Sequence, residues 1–293
     1  MTWRQSTVDE LKDYYYDEFP ARFGEIPDFI TGSKPKQVGL VFPEPFPVDG
    51  DDTPPRSFIR RDSFTDHGYG GGGRDLSSWE NIIKFLQNPA GLDPISGSNE
   101  LVSPELVDTP SIPEAVYIAT ARREENWMLV VDIDAKDVAL ERATERSPHS
   151  ENASQEQIRE QAGVIGGDPE GFKYEYEDIQ SALEYGFEVE QFFNERMDTT
   201  DTQVVYSGQG AHVYLYDNDP EYRYDERARE VIVHALSEKQ GIPIDRQVTT
   251  DESRVIRLPY SLHADVSRVV TPVESPDFDF RTDARPTFLE SDD

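Results

Sequence analysis

Cysteine is absent from the 293 residues. That excludes disulfides, thiolate catalysis and any Cys-ligated zinc or iron–sulfur site. No apolar run approaches the roughly 20 residues of a membrane-spanning helix. The first ten residues, Met1-Thr-Trp-Arg-Gln-Ser-Thr-Val-Asp-Glu, lack the apolar core of a secretory signal. The expectation is a soluble, cytoplasmic protein with no membrane partner. Positive charge is also scarce: 28 Lys and Arg face 59 Asp and Glu, giving a formal net charge of −31. Few of the cations are lysine.

Aromatics are not scarce. The chain holds 15 Phe and 14 Tyr, whereas disordered acidic chains are poor in such residues. The reading is a folded protein with an acidic surface. Such a surface keeps a protein hydrated and dispersed where salt shortens the screening length to roughly 3 Å, near 1 M. A cytoplasm rich in salt, as in a halophilic microbe, is therefore expected. Net charge alone argues against a nucleic-acid partner, and that argument loses force when the excess charge serves solubility.

Length allows one large domain or two small ones. A short helix is expected from Val8 to Phe19, with strands at Gln37–Phe42 and Ser57–Arg60 and a helix at Ser78–Leu86. The glycines from Gly70 to Gly73 are not followed by Lys-Ser/Thr, so a P-loop is unsupported. Val116–Ala119 and Met128–Asp134 read as adjacent strands, and residues 137–172 as a charged insertion with a helix near Ser154–Ala162. Tyr176–Met197 has helical apolar spacing. Gln203–Tyr206 and Ala211–Tyr216 flank a small-residue turn and predict a hairpin. A helix over Asp225–Gln240 and strands at Val255–Leu258 and Val269–Val273 complete the pattern, and Glu274–Asp293 reads as a solvated acidic tail. The order predicts an α+β fold: a mixed or antiparallel sheet covered by helices. The division expected is an N-terminal α+β module (1–110), a core (111–273, with its insertion at about 137–172) and the tail (274–293).

Chemistry concentrates in three places. In Trp127-Met-Leu-Val-Val-Asp132-Ile-Asp134 an apolar, β-branched run reads as a buried strand, and strand period two puts both carboxylates on one face. Two such charges repel and resist burial; a hard divalent cation, Mg²⁺ or Mn²⁺, relieves both problems. The bland alternative is that both side chains simply meet water. Ser207-Gly208-Gln209-Gly210-Ala211-His212 places backbone N–H groups, a hydroxyl and an imidazole around a turn that an anion could approach. Equally, it could be an ordinary hairpin with a satisfied histidine. Asp245 is followed by Val255-Ile-Arg257-Leu-Pro259-Tyr-Ser261-Leu-His263, where an Arg and a His flank a Pro-fixed turn suited to a triphosphate. A surface ion pair is the plainer account of Arg257.

Taken together and in order, these segments resemble the archaeal and eukaryotic DNA primase small, catalytic subunit, within the primase–polymerase superfamily. Leu129-Val-Val-Asp132-Ile-Asp134 resembles the family's acidic strand, and Ser207-Gly-Gln-Gly-Ala-His212 its Ser-Gly-x-x-Gly-x-His nucleotide motif. Ile244-Asp245 and Arg257-Leu-Pro-Tyr-Ser-Leu-His263 resemble its third carboxylate and Pro-x-Ser-x-His segment. Weaker echoes are Pro113-Glu-Ala-Val-Tyr117 and Arg56-Ser-Phe-Ile-Arg60-Arg61. The resemblance implies an RRM-like catalytic core and a nucleotidyltransferase that adds nucleotides to a 3′ end on a DNA template. It implies that Asp132, Asp134 and Asp245 hold two Mg²⁺ or Mn²⁺ ions. Ser207, Gln209, His212, Arg257 and His263 would hold the nucleoside triphosphate, and Arg56, Arg60 and Arg61 would meet template or primer phosphates. A primase large subunit or another replication or repair protein would be a partner.

The chain also departs from that family. Its Ser-Gly motif is one residue shorter than in many primases, Ala-Asp-Val-Ser-Arg268 replaces a Lys-Thr-Gly-like segment after His263, and no cysteine lies between residues 135 and 206 to build a zinc module. Zinc-free relatives that extend primers or fill gaps fit equally well, and a catalytically silent nucleic-acid-binding accessory subunit is a further alternative. An Asp-x-Asp phosphohydrolase is disfavoured, because Ala135 and Lys136 stand where a hydroxyl residue would be wanted.

Overall fold

The computed structural model describes residues 4, 6–31, 37–42, 57–62, 113–120, 128–145, 174–197, 200–219, 224–263 and 265–292. The expected helices at Ser78–Leu86 and Ser154–Ala162 lie outside these residues.

At the N-terminus, Thr7 caps α1 (Val8–Asp13) through a capping box with Glu10. The helix runs on through a π-helical stretch (Tyr14–Glu18) into α2 (Phe19–Phe23), and α3 (Asp28–Thr31) follows. The face carrying Leu11, Tyr14, Tyr15 and Phe19 is almost completely buried.

Two four-stranded antiparallel sheets make up the centre. In the first, β1 (Gln37–Phe42) lies between β2 (Ser57–Asp62) and β3 (Ala115–Ala119), and β7 (Val255–Arg257) closes the far edge. In the second the order is β10 (Thr271–Val273), β5 (Thr200–Tyr206), β6 (Gly210–Asp217), β4 (Leu129–Asp134). A short pair, β8 (Leu262–His263) with β9 (Arg268–Val269), completes the strands.

Strand period two sorts the second sheet into two apolar faces. Val130, Val205 and Tyr214 share one core with Val38, Val116, Ile118 and Ile256 of the first sheet and with the N-terminal helices. Leu129, Val131, Ile133, Val204, Val213 and Leu215 turn the other way. They pack on α5 (Tyr176–Asn194) through Ile179, Ala182, Leu183, Val189 and Phe193. Because both faces are covered, β4 is a continuous apolar run, and its aspartates stand on the Val130 face. Three further helices, α4 (Ala135–Glu145), α6 (Glu226–His234) and α7 (Arg246–Thr250), flank this sheet. A π-helical turn (Ala235–Lys239) extends α6.

This α+β architecture of helices on antiparallel sheets is the class expected. Three details differ. First, β3 and β4 do not pair: they belong to different sheets, tied by one Met128 N–H to Thr120 C=O bond of 3.2 Å. Side-chain alternation fixes which face of a strand is apolar but not which strand lies beside it. Second, the charged insertion begins with a helix. Ala135, Val138 and Ala139 are buried, and Arg142 bonds Asp178 of α5 at 3.0 Å. Third, the C-terminal segment is not a solvated tail. Phe280, Ala284 and Leu289 are buried, the Phe280 ring stacks on Tyr206, and Val269 N–H donates to Ala284 C=O. Burying a large apolar side chain is worth roughly 1.5–3 kcal/mol, so a few such anchors outweigh the pull of the acidic residues into water. Thr287 donates from both N–H and Oγ1 to Glu18 Oε2, fastening the segment to the N-terminal helices.

No helix among the described residues is long and apolar enough to cross a membrane.

Candidate metal and nucleotide site

The site grows from the C-terminal end of β4. Asp132 and Asp134 share one face there, and Asp132 pairs directly with His212 on β6 while Asp134 pairs with Gly210. Directly opposed residues on one sheet face bring their side chains together, and His212 Nε2 lies 3.3 Å from Asp132 Oδ1. Asp245 arrives from far along the chain as the N-cap of α7. Its Oδ1 accepts from Val248 N–H at 2.9 Å, and its own N–H donates to Asp132 C=O at 2.9 Å. One oxygen from each of Asp132, Asp134 and Asp245 lies within 4.8 Å of the others.

Two residues seat α7 on β4. Asp132 N–H donates to Thr249 Oγ1. Arg229, whose side chain is entirely buried, donates to the carbonyls of Tyr224, Thr249 and Met128. Burial lowers its pKa to about 10, and Glu252 and Asp251 oppose that fall. One guanidinium thus bonds the start of the β4 run and the end of α7, the elements that carry the three carboxylates.

The carboxylates are not electrostatically equal. Burial pushes Asp132 up, but His212, Arg257 and Lys136 outweigh it, holding the group below the ordinary carboxylate range. Burial and then the Asp132 charge push Asp134 up. Lys136, in the first turn of α4, places its ammonium 2.6 Å from Asp134 Oδ2. Burial would lower Lys136, yet Asp134, Asp137 and Asp245 raise it. A fourth acid, Asp137, is raised to about 6 by burial and then by Asp134.

The β5–β6 turn is built against this end of β4. Ser207 N–H donates to Gly210 C=O, and Gln209 C=O accepts from Ala135 N–H at the start of α4. Gly208 has φ +105°, and a Cβ there would lie 2.4 Å from the His263 ring; a Cβ on Gly210 would lie 2.2 Å from Ile133 C=O. Both positions need glycine, the first for its left-handed backbone and both for the close approach. The turn motif and the Pro-Tyr-Ser-Leu-His segment are therefore in contact. Asp265 N–H donates to His263 Nδ1 at 3.2 Å, which puts the proton of a neutral ring on Nε2. Arg257, on β7 opposite Tyr117, lies over that tyrosine's ring at 5.3 Å, and its charge acts on both Asp132 and Asp134.

Ser207, His212 and His263 are buried at this end of the second sheet, and Gln209 is half-buried. Arg60 and Arg61 stand on β2, the edge strand of the first sheet, opposite Gly39 and Val38. Arg56 lies outside the described residues. Sequence reasoning missed Lys136, Asp137 and Arg229. The first two had a signal in the helical pattern of Ala135-Lys-Asp-Val-Ala-Leu straight after the strand; Arg229 had none, because nothing in an amphipathic helix marks one arginine as the buried one.

The donor set suits a divalent cation. It is three hard carboxylates, and Asp132 Oδ1 is buried with no hydrogen-bond donor of good geometry among the described residues. A buried carboxylate oxygen met only by His212 Nε2 at 3.3 Å in poor hydrogen-bond geometry is under-satisfied, and a cation would satisfy it.

No protein-family model matches the chain. An uncharacterized DNA primase small subunit-like protein of Archaeoglobus fulgidus is 39% identical over 92 residues, which is 30% of this chain and 31% of that protein. The chain thus matches about a third of that relative's length. Among solved structures, the polymerase domain of Mycobacterium tuberculosis Ligase D in complex with DNA aligns over 93% of this chain and 84% of its own, with a TM-score of 0.35 and 14% identity. The archaeal relative bears out the resemblance of this chain to the primase–polymerase family.

Proposed function

We propose that this protein is a DNA primase-like nucleotidyltransferase, adding nucleotides to a 3′ end by template-directed, two-metal chemistry. The observation that carries the reading is the meeting of Asp132, Asp134 and Asp245 within 4.8 Å. Residues more than a hundred positions apart share that cluster, and the His212 and Gly208–His263 contacts lie beside it. The archaeal relative, named as primase small subunit-like, supports the same class.

Asp132, Asp134 and Asp245 would hold Mg²⁺ or Mn²⁺. When bound, such ions supply Lewis-acid activation of a hydroxyl and neutralise a triphosphate's charge. Asp132, held low by His212 and Arg257, stays ionised as a ligand. Asp134, pushed up by burial and then by the Asp132 charge, would be relieved by an added cation. Arg257 and His263 Nε2–H are the donors for triphosphate oxygens, with Ser207 and Gln209 forming the turn beside them. Arg56, Arg60 and Arg61 are the positions for template or primer phosphates. Nothing in this set requires zinc.

Nucleotide incorporation on a primed template, with Mg²⁺ or Mn²⁺ at high salt, tests the reading. Asp132→Ala and Asp134→Ala should each abolish it; unchanged incorporation would refute the assignment. The missing cysteines favour a second reading, a zinc-free gap-filling or repair polymerase. Efficient extension across short gaps with no de novo initiation would select it. DNA binding without any metal-dependent incorporation would instead mark an accessory subunit.

A further inference from the structure

Lys136 is unexpected where it stands. A chain poor in lysine places one ammonium 2.6 Å from Asp134 Oδ2, on the carboxylate that its neighbour Asp132 already strains. The side chain is nearly half exposed, so it can leave without opening the core. Its charge acts on all three members of the triad as well as on Asp137. Being the second residue of α4, it also sits where the helix dipole disfavours a cation. Asp134, with Asp137 and Asp245 behind it, opposes that penalty.

A divalent ion taken up by Asp134 must share that carboxylate's charge with the ammonium or displace it. We infer that Lys136 is a built-in competitor of the metal: a tethered counter-ion that lowers the affinity of the Asp132–Asp134–Asp245 cluster for a divalent cation. The inference rests on the proposed metal site and goes beyond it, because it assigns a tuning role to a residue that is not a ligand. In physical terms the tether keeps the ammonium beside Asp134, where it competes for that carboxylate without having to be captured from solution. The cluster therefore fills at a higher divalent-ion concentration than it would without the lysine.

Titration of the full chain with Mn²⁺ alone, followed by the electron paramagnetic resonance of free Mn²⁺ at fixed high KCl, tests this. Lys136→Met should bind Mn²⁺ about twofold to fivefold more tightly than the natural protein, the scale of a partly exposed ion pair. Lys136→Gln should do the same, and provides a second reading if one variant fails to fold. Arg246→Met is the control for charge alone. It removes a cation adjacent to Asp245 whose guanidinium contacts Glu238 rather than the triad, and it should leave the affinity unchanged. Equal or weaker Mn²⁺ binding by both Lys136 variants overturns the inference. So does equal tightening by Arg246→Met, which would reduce the effect to net charge. If the natural protein binds Mn²⁺ no better than Asp134→Asn, the metal site itself is refuted and the inference falls with it.

Discussion

Asp245 does two jobs with one carboxyl. It caps α7 through Val248 N–H, and it offers an oxygen to the cluster with Asp132 and Asp134. Asparagine caps a helix as well as aspartate does but carries no charge. Asp245→Asn should therefore unfold at the natural denaturant midpoint, within about 0.5 kcal/mol, while Mn²⁺ affinity and nucleotide incorporation fall at least about tenfold. Chemical denaturation beside a Mn²⁺ titration checks both halves. Loss of stability equal to the loss of binding would show Asp245 to be a structural cap alone. Gly208 makes the complementary point: its left-handed backbone and the ring of His263 above it are visible only once two distant motifs meet.

At the level of elements, the join between β4 and α7 depends on Arg229. Removing its guanidinium leaves the carbonyls of Met128, Tyr224 and Thr249 buried without their donor. Each unsatisfied group costs about 1–3 kcal/mol. Arg229→Met should lower stability by at least about 2 kcal/mol by urea denaturation, and a smaller loss would show that water or a backbone shift replaces the bonds.

The N-terminal helix gives a pH test. Glu10 receives both guanidinium nitrogens of Arg4 and the backbone N–H of Thr7. The Arg4 bonds chiefly lower its pKa from 4.5 to about 2. A lowered acid stabilises the fold above its unfolded value and loses that contribution as pH falls from about 4.5 towards 2. Because the pair is partly exposed, solvent limits the effect to about 1 kcal/mol. Glu10→Gln should thus lower the melting temperature at pH 7, with the difference shrinking as pH drops through that window. A difference that is the same at pH 7 and pH 3 would contradict the assignment.

For the whole molecule the dominant fact is the charge of −31. Self-repulsion on that scale destabilises the compact state at low ionic strength, and a screening length of about 3 Å near 1 M removes most of it. The melting temperature should rise by several degrees as KCl goes from about 0.1 M to above 1 M. A flat or falling profile in circular dichroism melts would remove the case for adaptation to salt. The same screening weakens phosphate contacts by about 0.9 log unit per contact for each tenfold rise in salt. Under the proposed function, nucleotide and template binding at high salt would lean on the buried cluster and on stacking rather than on surface arginines.

How much of this was legible in the chain varies by scale. The strand of Asp132 and Asp134, the β5–β6 hairpin and the long α5 helix follow from local periodicity, and the structure has them at nearly the expected limits. Pairing between β3 and β4 was misread, because alternation along a strand says which face is apolar but not which partner lies beside it. The C-terminal segment was misread because its charge concealed the few aromatic anchors, Phe278 and Phe280, that pack on Tyr206.

What the sequence determined by itself is chemical: which residues could bear acid, base and turn-forming roles, that no cysteine chemistry is available, and that the surface must be acidic. Those properties live in single side chains and short repeats. Only the tertiary structure decided that Asp245 bonds the backbone of Asp132 and that His263 rests on Gly208. Each of those joins residues brought together by burying apolar faces on the second sheet, and burial of that kind is non-directional: it drives surfaces together without recording in the chain which one each will meet.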